Sequence, residues 1–116
     1  MFSHVTVGSN DLERAGAFYD ALLAPLGLVR RQVEDEGGPK SLCWMAPGRT
    51  LPRFYVYSPF DRAPATPGNG AMVAFLAASP EAVKTAWAAG LAHRGKSEGA
   101  PGGRPRYGLE YYGAYL

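Results

Sequence analysis

The stretch His4-Val5-Thr6-Val7-Gly8-Ser9-Asn10-Asp11-Leu12-Glu13 decides the fold, because it contains a strand, a turn and the start of a helix. Alternating side chains predict a strand over residues 2–7, with His4 on the face opposite the valines. Asn10, three residues before Glu13, resembles a capping box and predicts that a helix begins there. The chain therefore opens with a strand followed by a helix.

The rest of the first half continues this pattern with three further strands. A helical stripe of apolar side chains recurs at spacings of three and four and ends near Pro25 and Gly27; its members are Ala15, Tyr19, Leu22, Leu23 and Leu26. Residues 28–33, 41–45 and 52–57 then predict strands separated by glycine and proline turns. The order is β-α-β-β-β.

A second, shorter version of this order follows a linker rich in proline and glycine. Residues 71–77 predict a strand, and Ser79-Pro80 predicts the N-cap and first position of a helix. A short strand is expected over 93–96, a turn over 98–105 and an extended segment over 110–116. We expect one domain with module 1 at about 1–60, a linker at 61–69 and an incomplete module 2 at 70–116, whose final strand is missing from the sequence.

Composition and charge exclude several classes of protein. A hydrophobic share of 47% with no long apolar run predicts a soluble domain rather than a membrane protein. The net charge is only +2 and the basic residues are scattered, so nucleic acid is not an expected partner. The single cysteine, Cys43, lies among the apolar residues Leu42, Trp44 and Met45. This setting predicts that its thiol is buried. With no secretory signal visible, a cytoplasmic location is expected.

Several segments together resemble the vicinal oxygen chelate superfamily, which includes glyoxalases, bleomycin-resistance proteins and extradiol dioxygenases. They are His4-Val5-Thr6-Val7, Asp11-Leu12-Glu13-Arg14-Ala15, Phe18-Tyr19, Gly68-Asn69-Gly70, Glu98-Gly99-Ala100-Pro101-Gly102 and Tyr111-Tyr112-Gly113-Ala114-Tyr115. The resemblance implies an α+β fold in which paired β-α-β-β-β modules form curved mixed sheets around a concave pocket.

In the metal-using members of this superfamily both modules supply ligands to a divalent ion. The resemblance places His4 at the first-strand ligand position and Met72 at its counterpart in the second module, where a thioether is a poor ligand. Residues 54–57 offer no carboxylate. His4 is therefore either a metal ligand or a hydrogen-bonded pocket histidine, and the cofactor is either a divalent metal of unknown identity or none.

The remaining candidates are residues that would line or serve the pocket. Glu110 is either a carboxylate ligand or general base, or a solvated edge residue. Arg104 has two interpretations. Its guanidinium either orients an anionic or carbonyl-bearing ligand through paired hydrogen bonds, or it is an exposed side chain of a loop. The expected pocket residues are Trp44, Phe54, Tyr57, Met72, Arg104, Tyr107, Tyr111 and Tyr115.

Three functions follow from the resemblance. The first is a small-molecule enzyme, either a metal-dependent glyoxalase-type lyase or a dioxygenase. The second is a metal-independent protein that binds a small molecule of antibiotic type without catalysis. The third is a subunit with a vestigial pocket that serves assembly. The superfamily also implies a homodimer.

Overall fold

All 116 residues are described by a computed structural model, in which the chain forms two compact units. The first unit comprises Met1–Ala17 and Gly27–Ala74, and the second comprises Phe18–Leu26 and Phe75–Leu116. Neither α-helix is long and apolar enough to cross a membrane.

The first unit is built on a four-stranded mixed sheet in the order β1-β4-β3-β2. Its strands are β1 (His4–Gly8), β2 (Val29–Arg31), β3 (Ser41–Met45) and β4 (Arg53–Tyr57). β1 pairs with β4 in parallel, whereas β3 is antiparallel to both β2 and β4. The strands expected over 2–7, 28–33, 41–45 and 52–57 are all present. The third has the expected bounds, the first begins two residues later and ends one residue later, the second is shorter at both ends, and the fourth begins one residue later.

Helix α1 (Leu12–Leu23) begins as expected after the first strand, but its capping residue is not Asn10. The carboxylate of Asp11 accepts a hydrogen bond from the backbone N–H of Arg14 at 3.0 Å. Asp11 directly precedes the first helical residue, which is the position from which a side chain reaches an unpaired amide of the first turn. Asn10 instead bonds to the backbone of Ala65, accepting from its N–H at 2.7 Å and donating to its carbonyl at 3.3 Å.

The second unit contains helix α2 (Pro80–Ala92) and an antiparallel pair of strands, β5 (Gly99–Gly103) and β6 (Tyr112–Tyr115). Short 3₁₀ turns occupy Ala24–Leu26 and Pro105–Tyr107. The predicted cap of α2 is confirmed, since the hydroxyl of Ser79 accepts from the N–H of Ala82 at 3.1 Å.

The strand predicted over 71–77 is wrong as an assignment of secondary structure. Burial does alternate there, with Val73, Phe75 and Ala77 half-buried between exposed neighbours. These residues, however, pair with no strand of the chain. Alternation of side chains with a period of two indicates which of them are buried. A β-strand also requires a neighbouring strand with which its backbone forms hydrogen bonds.

The short strand predicted over 93–96 and the turn predicted over 98–105 are also wrong. The backbone leaves α2 through a turn in which Arg94 has a φ of 73°, and the strand comes later, at Gly99–Gly103. A glycine-rich strand is possible because a tyrosine ring lies over it: a Cβ on Gly99 would lie 2.9 Å from the ring of Tyr115. The ring replaces the side chains that the glycines lack, which no local propensity reveals.

The predicted α+β class is confirmed. The chain combines two α-helices with a mixed sheet and a small antiparallel sheet. The β-α-β-β-β order of the first half is present in full. In the second half the structure has a helix followed by two strands.

Candidate functional site

The strand register of the first sheet divides its side chains into two faces. In the parallel pair His4 lies beside Arg53 and Thr6 beside Tyr55, and in the antiparallel pair Cys43 lies opposite Tyr55. Side chains that are in register point to the same face. We call this the open face, defined by His4, Thr6, Arg31, Ser41, Cys43, Arg53, Tyr55 and Tyr57.

The opposite face carries the core of the first unit and lies against α1. Trp44, Phe54 and Val56 are at most 5% exposed. A Cβ added to Gly16 of α1 would clash with the guanidinium of Arg30 and lie 3.1 Å from Leu42, so helix and sheet approach closely there. Burying three large apolar side chains contributes on the order of several kcal/mol to folding.

This division separates the first-unit residues that were expected to line a pocket. Tyr57 lies on the open face, half-buried. Trp44 and Phe54 lie on the helix-covered face, where their ring centroids are 6.0 Å apart, and Arg30 is placed over the Trp44 ring at 5.5 Å. Met72 is 72% exposed.

A polar network around Arg53 and Tyr55 occupies the open face. Arg53 donates from Nε to the carbonyl of Thr50 at 2.9 Å and from Nη1 to the hydroxyl of Tyr55 at 3.2 Å. The bond to Tyr55 is the main reason that the pKa of Arg53 is raised, which favours the charged guanidinium further. The ring centroids of Tyr55 and His4 are 5.9 Å apart in an edge-to-face arrangement. The ring centroids of Tyr55 and Tyr57 are 5.6 Å apart, with the two rings tilted.

Cys43 lies next to this network, in register with Tyr55 on the neighbouring strand. Its side chain has no exposed surface. Burial raises the pKa of the thiol, while the Tyr55 hydroxyl and the positive charges of Arg31 and Arg53 oppose that rise. The expected buried thiol is confirmed, and at neutral pH it is protonated and a weak nucleophile.

The donor set around His4 does not fit a divalent metal. His4 is exposed, its Nδ1 lies at hydrogen-bond distance, 2.9 Å, from the Ser3 hydroxyl, and its neighbour in register is the cation Arg53. No group of three His, Cys, Asp or Glu side chains in the chain is arranged to hold an ion. Catalytic metal sites use three or more such ligands.

The other predicted site residues belong to the second unit, where several contact one another. Arg104 donates from Nη2 to the carbonyl of Ala100 at 2.8 Å, and its guanidinium lies 5.6 Å from the Tyr115 ring. The hydroxyls of Tyr111 and Tyr115 are 3.4 Å apart, and this bond is the main cause of the raised pKa of Tyr115. Tyr107 packs against Tyr111 with ring centroids 5.4 Å apart. Arg104 therefore contacts both strands, β5 through Ala100 and β6 through Tyr115, next to the loop that joins them.

Glu110 is exposed and makes no hydrogen bond or ion pair. His93 ends α2, where its Nδ1 lies 2.9 Å from the carbonyl of Ala89. His93 is exposed at the C-terminal end of the helix, where a cationic side chain is favourable.

The sequence reasoning missed Arg53 and Tyr55, which carry most of the polar contacts of the open face. A signal for them was present. Both stand at even spacing from Tyr57, so the period of two that placed Tyr57 places them on the same face. What period two does not reveal is that this face is shared with His4, because that depends on the register between β1 and β4.

A cleft of about 790 Å³ opens elsewhere in the first unit, among loops. Its walls come from Ser9, Asn10, Gly37, Gly38, Pro39, Ser58, Pro59, Phe60, Arg62, Ala63 and Pro64. No predicted site residue contributes to it, and the side chain of Asn10 is already bonded to Ala65. The open face is the stronger candidate, because its polar groups converge on one another.

Comparison with known proteins agrees with the fold. A crystal structure of a glyoxalase/bleomycin resistance protein from Albidiferax ferrireducens T118 matches this chain with a TM-score of 0.77 and 40% sequence identity. The match covers 90% of this chain and 82% of that one. No family model and no curated protein matches the sequence.

Proposed function

The chain belongs to the glyoxalase/bleomycin resistance protein family of the vicinal oxygen chelate superfamily, and from that premise we propose that it binds a small molecule on its open face without a metal ion. The observation that carries this proposal is the contact of Arg53, Tyr55 and His4, in which polar groups lie beside aromatic rings and no group of three metal-ligating side chains is present.

The chemistry of the open face supports small-molecule binding. Tyr55 and Tyr57 are half-buried, so each offers an apolar ring surface together with a hydroxyl. Binding sites for small molecules combine such apolar surfaces with a few well-placed polar groups. The hydroxyl of Tyr55 is oriented by Arg53, which reduces the entropy that a ligand must overcome when it bonds there.

The surroundings of His4 support metal independence. A Lewis-acid mechanism needs an ion held by several ligands with a coordination position left open for the substrate. Beside His4 the sheet supplies a guanidinium, which repels a cation, and a tyrosine ring. The same proposal leaves Cys43 without a catalytic role, since its thiol is buried and protonated.

Thermal unfolding with a panel of small molecules, with and without EDTA, tests the proposal. A ligand present at a hundred times its Kd should stabilise the protein by about 2.7 kcal/mol, and EDTA should leave that shift unchanged. Tyr55→Ala should remove the shift, whereas Leu76→Ala, a change at an exposed residue outside the candidate site, should retain it. A panel that produces no shift, or shifts that EDTA abolishes, would overturn the proposal.

A metal-dependent lyase or dioxygenase is the second candidate, favoured by the position of His4 on the first strand. It requires the purified protein to contain a stoichiometric divalent metal. Elemental analysis of wild type, His4→Ala and His93→Ala distinguishes the two candidates. Metal that is present in wild type and in His93→Ala but absent from His4→Ala would favour the enzyme and exclude metal-independent binding.

A further inference from the structure

The open face is positively charged, and the sequences of its strands show why. The four strands of the first sheet read HVTVG, VRR, SLCWM and RFYVY, with no aspartate or glutamate among them. Arg31 is in register with Cys43 and Arg53 is in register with His4, so both arginines belong to this face. The face therefore presents two permanent cations and a histidine to solvent, with no acid of its own.

Arg53 is held in place without being neutralised. Its guanidinium bonds to the carbonyl of Thr50 and to the hydroxyl of Tyr55, and it forms no ion pair. Nη2 takes no part in either of these bonds. A guanidinium that is oriented by neutral groups keeps its full charge and free N–H donors, which is the arrangement that suits a carboxylate.

Hydroxyl groups surround this cation on the same face. Thr6 is in register with Tyr55, and Ser41 with Tyr57, so four hydroxyl side chains share the face with Arg53. Each hydroxyl can donate a hydrogen bond to a carboxylate oxygen, and such a bond is stronger than one to a neutral carbonyl. The aromatic ring surfaces of Tyr55 and Tyr57 add contact for an apolar body.

Arg31 is a weaker anchor than Arg53. It is exposed on β2, which lies at the edge of the sheet, and the acidic residues 34–36 follow in the next loop. Arg53 lies on β4, between β1 and β3, away from that loop in the sequence. The charge that a ligand meets at the centre of the face is therefore that of Arg53.

We propose that the ligand class of the open face is a small organic anion, a carboxylate attached to an apolar or aromatic body, with Arg53 as its anchor and Tyr55 as the residue that positions Arg53. This inference rests on the proposed function, because it names the ligand class of that same face. It also predicts discrimination against cationic ligands of the same shape, which Arg31 and Arg53 repel.

Three probes of nearly equal shape and different charge test the inference: benzoate, benzamide and benzylamine. Binding is followed in ¹⁵N-edited NMR spectra by the backbone amide signals of β1 and β4 and by the Nε–Hε signal of Arg53. The Nε–Hε signal is identified by its loss in Arg53→Gln. We expect benzoate to shift these signals, benzamide to bind more weakly and benzylamine to leave them unchanged.

Two variants and a control complete the test. Arg53→Gln should weaken benzoate binding by about tenfold, the loss expected for a charge-assisted hydrogen bond. Arg14→Gln makes the same change of charge on an exposed position of α1 and should leave the Kd unchanged. Tyr55→Phe keeps the charge but removes the hydroxyl bond, so it should move the Arg53 Nε–Hε signal in the free protein and weaken benzoate less than Arg53→Gln does.

The possible outcomes separate this inference from the proposed function. If benzamide or benzylamine binds the open face as tightly as benzoate, or if Arg53→Gln leaves benzoate binding intact, the anion assignment is wrong while small-molecule binding stands. If no probe of any charge shifts signals of β1 or β4, and the wider panel stabilises nothing, both proposals fail together.

Discussion

At the scale of single residues, Cys43 shows how strongly one buried group responds to its surroundings. The thiol has no exposed surface, and burial raises its pKa above the usual value of about 8.5. In the unfolded chain the thiol ionises at its usual pKa, so above about pH 8.5 the unfolded state binds fewer protons than the folded state. The contribution of Cys43 to stability is therefore complete below that pH and is lost as pH rises toward the folded pKa.

We predict that Cys43→Ala flattens the fall of stability between about pH 8 and pH 10. Its overall stability will be lower than that of wild type, because removing the buried sulfur leaves a small cavity. The slope with pH, measured by urea unfolding at a series of pH values, is the quantity to compare. Tyr19, whose pKa is also raised by burial, adds to the slope only toward the upper end of this range. Identical slopes in the two proteins would contradict the prediction.

At the scale of secondary-structure elements, the exit from α2 depends on a glycine. The N–H of Gly95 donates to the carbonyl of Gly90 at 2.8 Å. A Cβ on Gly95 would lie 2.6 Å from that same oxygen and 2.8 Å from the ring of Phe18. Neither a backbone oxygen nor a packed ring can move away without disturbing the end of the helix.

We predict that Gly95→Ala lowers the free energy of unfolding by about 1–3 kcal/mol, the cost typical of overpacking. Gly38→Ala is the matched control, since a Cβ there meets nothing within 4 Å and its backbone is not left-handed. The control should change stability by less than about 0.5 kcal/mol. Chemical denaturation of both variants measures the difference, and equal effects at the two positions would refute the packing argument.

The elements differ in how well the sequence predicts them, for physical reasons. Helix α2 was predicted with its cap, because Ser79 and Pro80 act through contacts within one turn. Strand β5 was mistaken for a turn, because its glycines suit a strand only when the rings of β6 cover them. The helix cap moved by one residue, from Asn10 to Asp11, since both side chains are capable of capping and a distant residue, Ala65, binds the first.

At the scale of the whole chain, the bond between Asn10 and Ala65 joins segments that are 55 residues apart. It ties the end of β1 to the loop that follows β4. A side-chain amide satisfies both the N–H and the carbonyl of one peptide residue there. Closing so long a loop costs entropy, so contacts that hold its ends contribute to the stability of the folded unit.

We predict that Asn10→Ala lowers the free energy of unfolding by about 1 kcal/mol, the net value of exposed hydrogen bonds. The urea m-value should stay unchanged, because little surface is involved. Asn69→Ala, at an exposed loop position without side-chain hydrogen bonds, is the control and should be nearly neutral. A loss in Asn69→Ala as large as that in Asn10→Ala would show that the Ala65 bond is not the cause.

The sequence by itself determined the β-α-β-β-β order, the alternation of side chains along each strand, the buried thiol and the resemblance to the superfamily. These features depend on local spacing, which side-chain period and caps express directly. Only the tertiary structure decided that His4 lies beside Arg53 and Tyr55, and that Trp44 and Phe54 lie on the helix-covered face. The neighbours of His4 are set by the register between β1 and β4, which are distant in the chain, and the burial of Trp44 and Phe54 is set by which face of the sheet packs on α1. Long-range packing and backbone pairing decide these features, which local spacing leaves open.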